Sequence, residues 1–203
     1  MVSGMAAKHL KVILGGQGGD EIFGGYARYV IAYLEQCLKA AIDGTYHDGK
    51  YVVTIESIVP NLGLLREYKP LMKKFWAEGL FGPMDQRYFR LSDRSTDLQH
   101  EVDWAELDRG QVFEDFCDIF NNENNVGKEA YFDKMTHFDF KCLLPALLQV
   151  EDRMSMAHGL ESRVPFLDHS LVEFAATVPA DVKFKDGNMK YLVKSVFKDQ
   201  LPK

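Results

Sequence analysis

Apolar residues along this chain form one short continuous run and a series of stripes at helical spacing. The run is Val12, Ile13 and Leu14, β-branched enough for a buried strand, and residues 2–9 before it read as the last turns of a helix. No partner strand stands out in the pattern, so the expectation is a sheet completed by something missing from the chain. Further on, Val30, Ile31, Tyr33, Leu34, Cys37, Leu38 and Ala41 recur at helical intervals and predict a core-packing helix over 29–41, closed by Gly44. Residues 51–55 could be a strand or the front of a helix that runs to Val59 before Pro60, and the helix is preferred. An amphipathic stripe over 62–80 carries Leu65, Tyr68, Leu71, Met72, Phe75 and Trp76. The charged stretch 87–101 shows no periodicity and reads as a surface connection.

Val112, Phe113, Phe116, Cys117, Ile119 and Phe120 mark a further helix, ended by an Asn-rich run over 121–125. Residues 128–144 are helical and aromatic, with Tyr131, Phe132, Phe138 and Phe140, a stripe that belongs in a core more readily than around a cofactor. Leu143, Leu147, Val150 and Met154 share one helix face and set Glu151, Asp152 and Arg153 near its C-terminal half. Gly159 ends that helix. Pro165 pushes its predecessor towards an extended conformation, and Asp168 is a good N-cap for a helix over 170–178. The last helix, 188–198, carries Lys190 in its first turn, where the helix dipole disfavours a cation unless it is solvated or recruited by an anion. The secondary structure expected is thus mostly α, with one or two strands.

Composition narrows the classes. At 203 residues, 46% hydrophobic and 12% aromatic, the chain can bury one sizeable core. Its net charge of -6, with 30 acidic against 24 basic residues and no long basic block, leaves no electrostatic footprint for nucleic acid. Three separated cysteines, Cys37, Cys117 and Cys142, read as reduced residues of a cytoplasmic protein. No run approaches the ~18 apolar residues of a membrane span, and neither a signal peptide nor a membrane partner is expected.

The densest chemistry follows the first strand. Gly15, Gly16, Gln17, Gly18 and Gly19 lead straight into the adjacent carboxylates Asp20 and Glu21. Glycines permit positive φ and expose bare N–H groups to an anionic or planar ligand, while the carboxylates stand where a cation can be held. An ordinary turn between a strand and a helix would carry the same glycines.

Three collinear pieces carry a resemblance. LGGQGGDEIFGGY over 14–26, DRMSMAHGLESRVPFLD over 152–168 and GNMKY over 187–191 resemble, in this order, the synthetase domain of glutamine-hydrolysing asparagine synthetases. The resemblance implies the C-terminal part of an α/β adenine-nucleotide alpha-hydrolase-like domain, the PP-loop ATP pyrophosphatase type, over residues 1–203. Residues from about 45 to 125 match nothing nameable and are expected to be a variable helical insert. It implies a ligase that uses ATP and Mg2+ to adenylate the side-chain carboxylate of aspartate, then admits ammonia from a glutaminase domain of the same parent chain. Asp20 would be the magnesium ligand, and Gly15, Gly16 and Gly18 would lie against the nucleotide. Lys190 would offer positive charge to the phosphates, and Arg153 would hold a carboxylate or phosphate or else pair with Glu21 or Glu161. The oligomeric state, a homodimer included, stays open.

Two departures from the family pattern matter. Gln17 stands where well-known relatives carry a glutamate that looks like the general base, and an amide cannot take that proton at neutral pH, so Glu151, Glu161, Glu21 or water would have to. The S-G-G-x-D-S phosphate loop and an N-terminal nucleophilic cysteine are absent from the sequence, so a truncated second half of the domain, inactive alone, is expected. The other readings are a different adenylating amide-forming ligase, such as a β-lactam synthetase-like or amidating enzyme, and a non-catalytic helical binding module.

Overall fold

Helix Ala27–Asp43 (α3) is the axis on which the rest of the chain packs. Gly44 closes it in the left-handed conformation and returns its N–H to the carbonyl of Ala40. Tyr29, Val30, Ile31, Ala32 and Tyr33 are all buried, so apolar contact surrounds the helix on every side of its first turns. The computed structural model describes residues 2–44, 54–122 and 131–200.

In chain order the elements are Val2–Ala6 (α1), Val12–Leu14 (β1), Gly19–Phe23 (α2), α3, Ile55–Ile58 (α4), Lys69–Phe75 (α5), Met84–Ser92 (α6), Arg109–Phe120 (α7), Tyr131–Phe138 (α8), Leu144–Met156 (α9), Glu161–Arg163 (β2), His169–Thr177 (α10), Ala180–Lys183 (α11) and Tyr191–Val196 (α12). A 3-10 stretch, Val59–Tyr68, links α4 to α5. A single π-helical turn, Asp139–Leu143, joins α8 to α9. The predominantly helical reading holds, and the helices between 54 and 122 contribute to the same core as α3. Ile58, Phe75, Tyr88, Phe116 and Phe120 pack into one cluster with Tyr29, Phe132, Met135 and Phe184. Phe116 and Phe138 stand 4.6 Å apart between ring centroids, and the ring of Tyr88 stacks on Phe120. The aromatic stripe of α8 is therefore core. A smaller cluster of Ile22, Phe23 and Ala175, flanked by Phe166, Leu167, Leu192 and Val193, lies beneath α2.

The structure corrects several readings. The first strand has its partner within the chain: β1 pairs in parallel with β2, Val12 opposite Glu161, Ile13 opposite Ser162 and Leu14 opposite Arg163. Nor is β1 buried, since Leu14 is 74% exposed. The segment read as a surface connection contains most of α6, whose Arg87, Tyr88 and Leu91 are buried. Its polar look misled because Arg87 is paired inside the core. Its guanidinium donates from Nη1 to Oε2 of Glu35 at 2.6 Å, and from Nη2 and Nε to the carbonyls of Gly79 and Gly82. Trp76 Nε1 donates to the same Glu35 oxygen at 2.6 Å. Burial raises the Glu35 carboxyl and lowers the Arg87 guanidinium, and each partner's charge opposes the other's shift.

Elsewhere the local signals agree with the structure. Ile55–Ile58 is helical and begins in a capping box at Thr54 and Ser57, while residues 51–53 lie outside the described part, as do 128–130 of the aromatic helix. Asp168 caps α10 by accepting from the N–H of Leu171. The apolar face of α9 exists, but Leu147, Val150 and Met154 are exposed on it, Val150 at 61%. Cys37 is buried, Cys117 and Cys142 are partly buried, and none is in a disulfide.

Truncating Arg87 to Ala strands a buried carboxylate, and an unfolding free energy lower by about 3–5 kcal/mol, measured by urea titration, is expected. The double change Glu35→Leu with Arg87→Met should recover most of that loss. A single-variant loss under ~1 kcal/mol would show the pair to be solvated.

Candidate functional site

The glycine-rich segment after β1 builds a tight bend and a one-turn helix whose backbone lies against side chains from remote parts of the chain. Gly18 has φ 90°, and a Cβ there would stand 2.4 Å from Leu167 Cδ2. At Gly19 a Cβ would meet the ring of Phe166 at 3.4 Å. The first glycines and the Pro-Phe-Leu segment are thus pressed together, which is why two motifs whose contacting residues, Gly19 and Phe166, are 147 positions apart in the chain belong to one site. On the far side of α2, Gly24 has φ 70°, and a Cβ there would stand 2.7 Å from the ring of Phe132.

Gly25 is the floor of the charged pair. Lys190 Nζ stands 2.9 Å from Asp20 Oδ1, with about a third of each side chain exposed. A Cβ on Gly25 would come within 1.8 Å of Asp20 Oδ1 and 2.3 Å of Lys190 Cε, so only a bare backbone leaves room for both. Lys190 does not lie in the first turn of a helix, as the pattern predicts; it precedes α12 and adopts the left-handed conformation, φ 54° and ψ 33°. For a non-glycine residue that backbone costs ~1–3 kcal/mol and persists only where surroundings over-determine it. Contacts from three segments supply those surroundings. The N–H of Lys190 bonds the carbonyl of Gly24 at 3.4 Å. Asn61 Nδ2 donates to the carbonyl of Asp186 at 2.6 Å, and Gly187, at φ 73°, lies against Ile58. The helical segment that begins at α4 therefore braces the loop that delivers Lys190, a role no sequence signal announces.

Glu21 faces away from this pair. It is buried and accepts a hydrogen bond from the hydroxyl of Tyr26. The ring of Tyr26 in turn carries the Arg28 guanidinium, 3.8 Å from its centroid. Arg28 donates from Nη2 to Oδ2 of Asp139 at 2.6 Å, and the hydroxyls of Tyr29 and Tyr88 reach the same oxygen at 2.5 Å and 2.6 Å. Burial, reinforced by neighbouring charge, holds the Tyr29 and Tyr88 hydroxyls protonated well above their usual range. This relay, from α2 to the π-helical turn, involves Tyr26, Arg28 and Asp139, which sequence reasoning missed, as it missed the role of Gly25 beneath the Asp20–Lys190 pair. The adjacent GGY and the break in helical phase near 139 were the signals available.

The remaining candidates are dispersed. Gln17 folds back over Gly15, where a Cβ would meet its Oε1 at 2.1 Å, and that oxygen is buried without a hydrogen bond. Gly16 is exposed, with open space at its Cα. Glu151 is half-buried and Arg153 exposed on α9, and neither forms an ion pair with Asp20 or Lys190. The alternative pairing of Arg153 is not formed either, because Glu161 is bound by Arg163 at 2.8 Å and Glu21 by Tyr26. Among the described residues no group of three or more His, Cys, Asp or Glu is placed to hold a metal, and no helix is long and apolar enough to cross a membrane.

Comparison with known proteins gives a consistent result. The asparagine synthase family model matches residues 1–203. Asparagine synthetase [glutamine-hydrolyzing] 1 of Bacillus subtilis is 28% identical over 203 residues, covering 97% of this chain and 29% of that protein. Asparagine synthetase [glutamine-hydrolyzing] 3 of the same organism is 25% identical over 96% of this chain and 25% of its own length. The Gallus gallus asparagine synthetase [glutamine-hydrolyzing] is 47% identical over 55 residues, 26% of this chain and 10% of that protein. The chain thus spans less than a third of the length of these relatives. No solved structure matches.

Because the left-handed backbone at Lys190 is costly and its partly exposed ion pair contributes only ~0–1 kcal/mol, Lys190→Gly should be as stable as the parent or more so, by up to about 1 kcal/mol in urea titration. Lys190→Ala keeps the strain, loses the pair and should fall below both. The reverse order of the two variants would show that the ion pair, not the backbone, dominates this position.

Proposed function

The chain belongs to the asparagine synthase family, and on that premise we propose that its 203 residues supply one part of the active site of an ATP-dependent amide ligase. In this reading the side-chain carboxylate of aspartate attacks the α-phosphorus of ATP and pyrophosphate leaves. Ammonia, released from glutamine by a glutaminase domain of the same parent chain, then attacks the acyl carbon; AMP leaves and the nitrogen gives up a proton. The work is cytoplasmic.

The observation that carries the reading is the half-exposed ion pair of Asp20 and Lys190 over the bare backbone of Gly25. Both partners are within reach of solvent, so both can exchange partners at low cost. An incoming phosphate competes for the Lys190 ammonium, which then neutralises charge developing on the leaving pyrophosphate. Asp20, freed of Lys190, would then be available to hold a hard cation. A single carboxylate does not make an all-protein metal site, but it fits Mg2+, which commonly takes one or two carboxylates and completes its shell with phosphate oxygens and water. When bound, that ion supplies charge neutralisation on the phosphates. Gly15, Gly16 and Gly18 let the nucleotide approach the backbone closely.

Gln17 orients substrate through its amide and cannot serve as the base. Glu21 is occupied by Tyr26 and Glu161 by Arg163, which leaves Glu151 or water to accept the proton. Gln17 is also the observation that favours a second reading, an adenylating amide-forming ligase with a different carboxylate substrate.

The test is release of pyrophosphate from ATP by the whole protein that carries this segment, with aspartate set against other carboxylates. Lys190→Ala and Asp20→Asn should each lower kcat/KM by about 100-fold or more, ~2.7 kcal/mol of transition-state stabilisation, with the Asp20 change also raising the Mg2+ requirement. The 203-residue chain alone should give no synthetase turnover and bind ATP more weakly than micromolar in calorimetry. Release driven by another carboxylate would select the second reading, and full activity in the Lys190→Ala variant would remove both.

A further inference from the structure

A sizeable cavity lies away from the Asp20–Lys190 pair. It has a volume of about 480 Å³ and lies behind α2, between α8, the π-helical turn and the segment from α10 to α11. Its wall combines apolar groups, among them Ile22, Phe140 and Val172, with charged ones of both signs. Lys183 is only 7% exposed, lines the cavity, and has no hydrogen-bond or ion-pair partner among the described residues. The carboxylate of Asp133 lines the same cavity and is likewise without a hydrogen bond or ion pair there. The two groups sense each other, since each opposes the shift that burial imposes on the other, yet they do not close to within ion-pair distance. Burial raises the Asp133 carboxyl and lowers the Lys183 amine, so both charges are incompletely compensated. Glu21 adds a second carboxylate, and Lys141 an exposed cation at the rim.

A largely buried lysine and a half-buried aspartate that stand across this hollow without closing to an ion pair leave both charges for a ligand to compensate. A simple anion would satisfy Lys183 and repel Asp133 and Glu21. A simple cation would do the opposite. Only a molecule bearing both charges a few ångströms apart compensates the two sides together, and methylenes beside those charges match Ile22, Phe140 and Val172. We infer that this cavity is a binding site for a small α-amino acid, its carboxylate on Lys183 and its ammonium on Asp133. The volume leaves room for a side chain. His137, on the same wall, is held towards its neutral form by burial and by Lys141, so the positive charge facing the ligand carboxylate resides on Lys183.

This site stands apart from the ligase reading. Synthetase activity without amino-acid binding at this cavity, or binding without synthetase activity, would separate the two.

The experiment is calorimetric titration of the protein with L-norvaline and L-aspartate, against valerate and succinate, which lack the ammonium, and butylamine, which lacks the carboxylate. At least one of the two amino acids should saturate with a dissociation constant of ~1 mM or tighter, while the three analogues do not saturate. Lys183→Met and Asp133→Asn should each weaken that binding by about tenfold or more. Since either change can alter stability, Ala176→Trp, which fills the hollow from α10 and leaves both charges in place, should abolish binding at an unchanged melting temperature. Absence of saturation by both amino acids up to ~20 mM, equal affinity for an analogue, or binding indifferent to both charge variants would overturn the inference.

Discussion

The close approach of bare backbone around α2 is the constraint on which this structure turns. Four glycines in and beside that one-turn helix lie against side chains that arrive from elsewhere: Leu167 and Phe166 against Gly18 and Gly19, Phe132 against Gly24, and Lys190 against Gly25. A Cβ at Gly18, Gly24 or Gly25 would fall inside 3.0 Å of a neighbour, so the contacts exist only because these positions carry none. The same bareness brings the middle and the end of the chain to the loop after β1. It also draws the two apolar clusters together, because α2 buries Ile22 and Phe23 beneath itself while Gly24 meets Phe132 of the larger core.

The charged groups divide by solvent access, and the division follows what each pair can do. Arg28 with Asp139 and Arg87 with Glu35 are held by several hydrogen bonds in apolar surroundings, where separating the partners would leave a desolvated charge. Such pairs specify architecture. Asp20 and Lys190 meet at the surface, where water competes for both and the pair is worth little. A weak pair on a strained backbone is poor scaffolding but a good receiver of phosphate and metal, since neither group has much to lose on changing partner. Lys183, buried, and Asp133, half-buried, are a third case, unmated to each other, and their geometry has the form of a socket rather than a strut.

The molecule also carries apolar surface that its own core does not use. Leu147, Val150 and Met154 face solvent along α9, and β1 leaves Leu14 exposed. These residues are patterned as core, and their exposure accounts for the contrast between a strand that reads as buried and one that is open. The two-stranded parallel sheet is covered by helices only in part, whereas parallel sheets are ordinarily buried on both faces.

What the amino-acid sequence determined unaided was local. The helix at α3 and its glycine stop, the Asp168 cap of α10, the capping box before Ile55 and the aromatic stripe of α8 all depend on neighbours within a turn or two, so their signals lie next to one another in the chain. The glycine motif likewise announced a bend that something must approach, and Lys190 an anomalous cation. Tertiary structure alone decided the rest. It paired β1 with β2, buried a charged helix by giving Arg87 the carboxylate of Glu35, twisted Lys190 into the left-handed region against the brace of Asn61 and Ile58, and turned Glu21 away from Asp20. Each of these depends on residues tens of positions distant. A polar side chain looks the same in sequence whether its partner is water or a buried counter-charge; only the packed molecule distinguishes them.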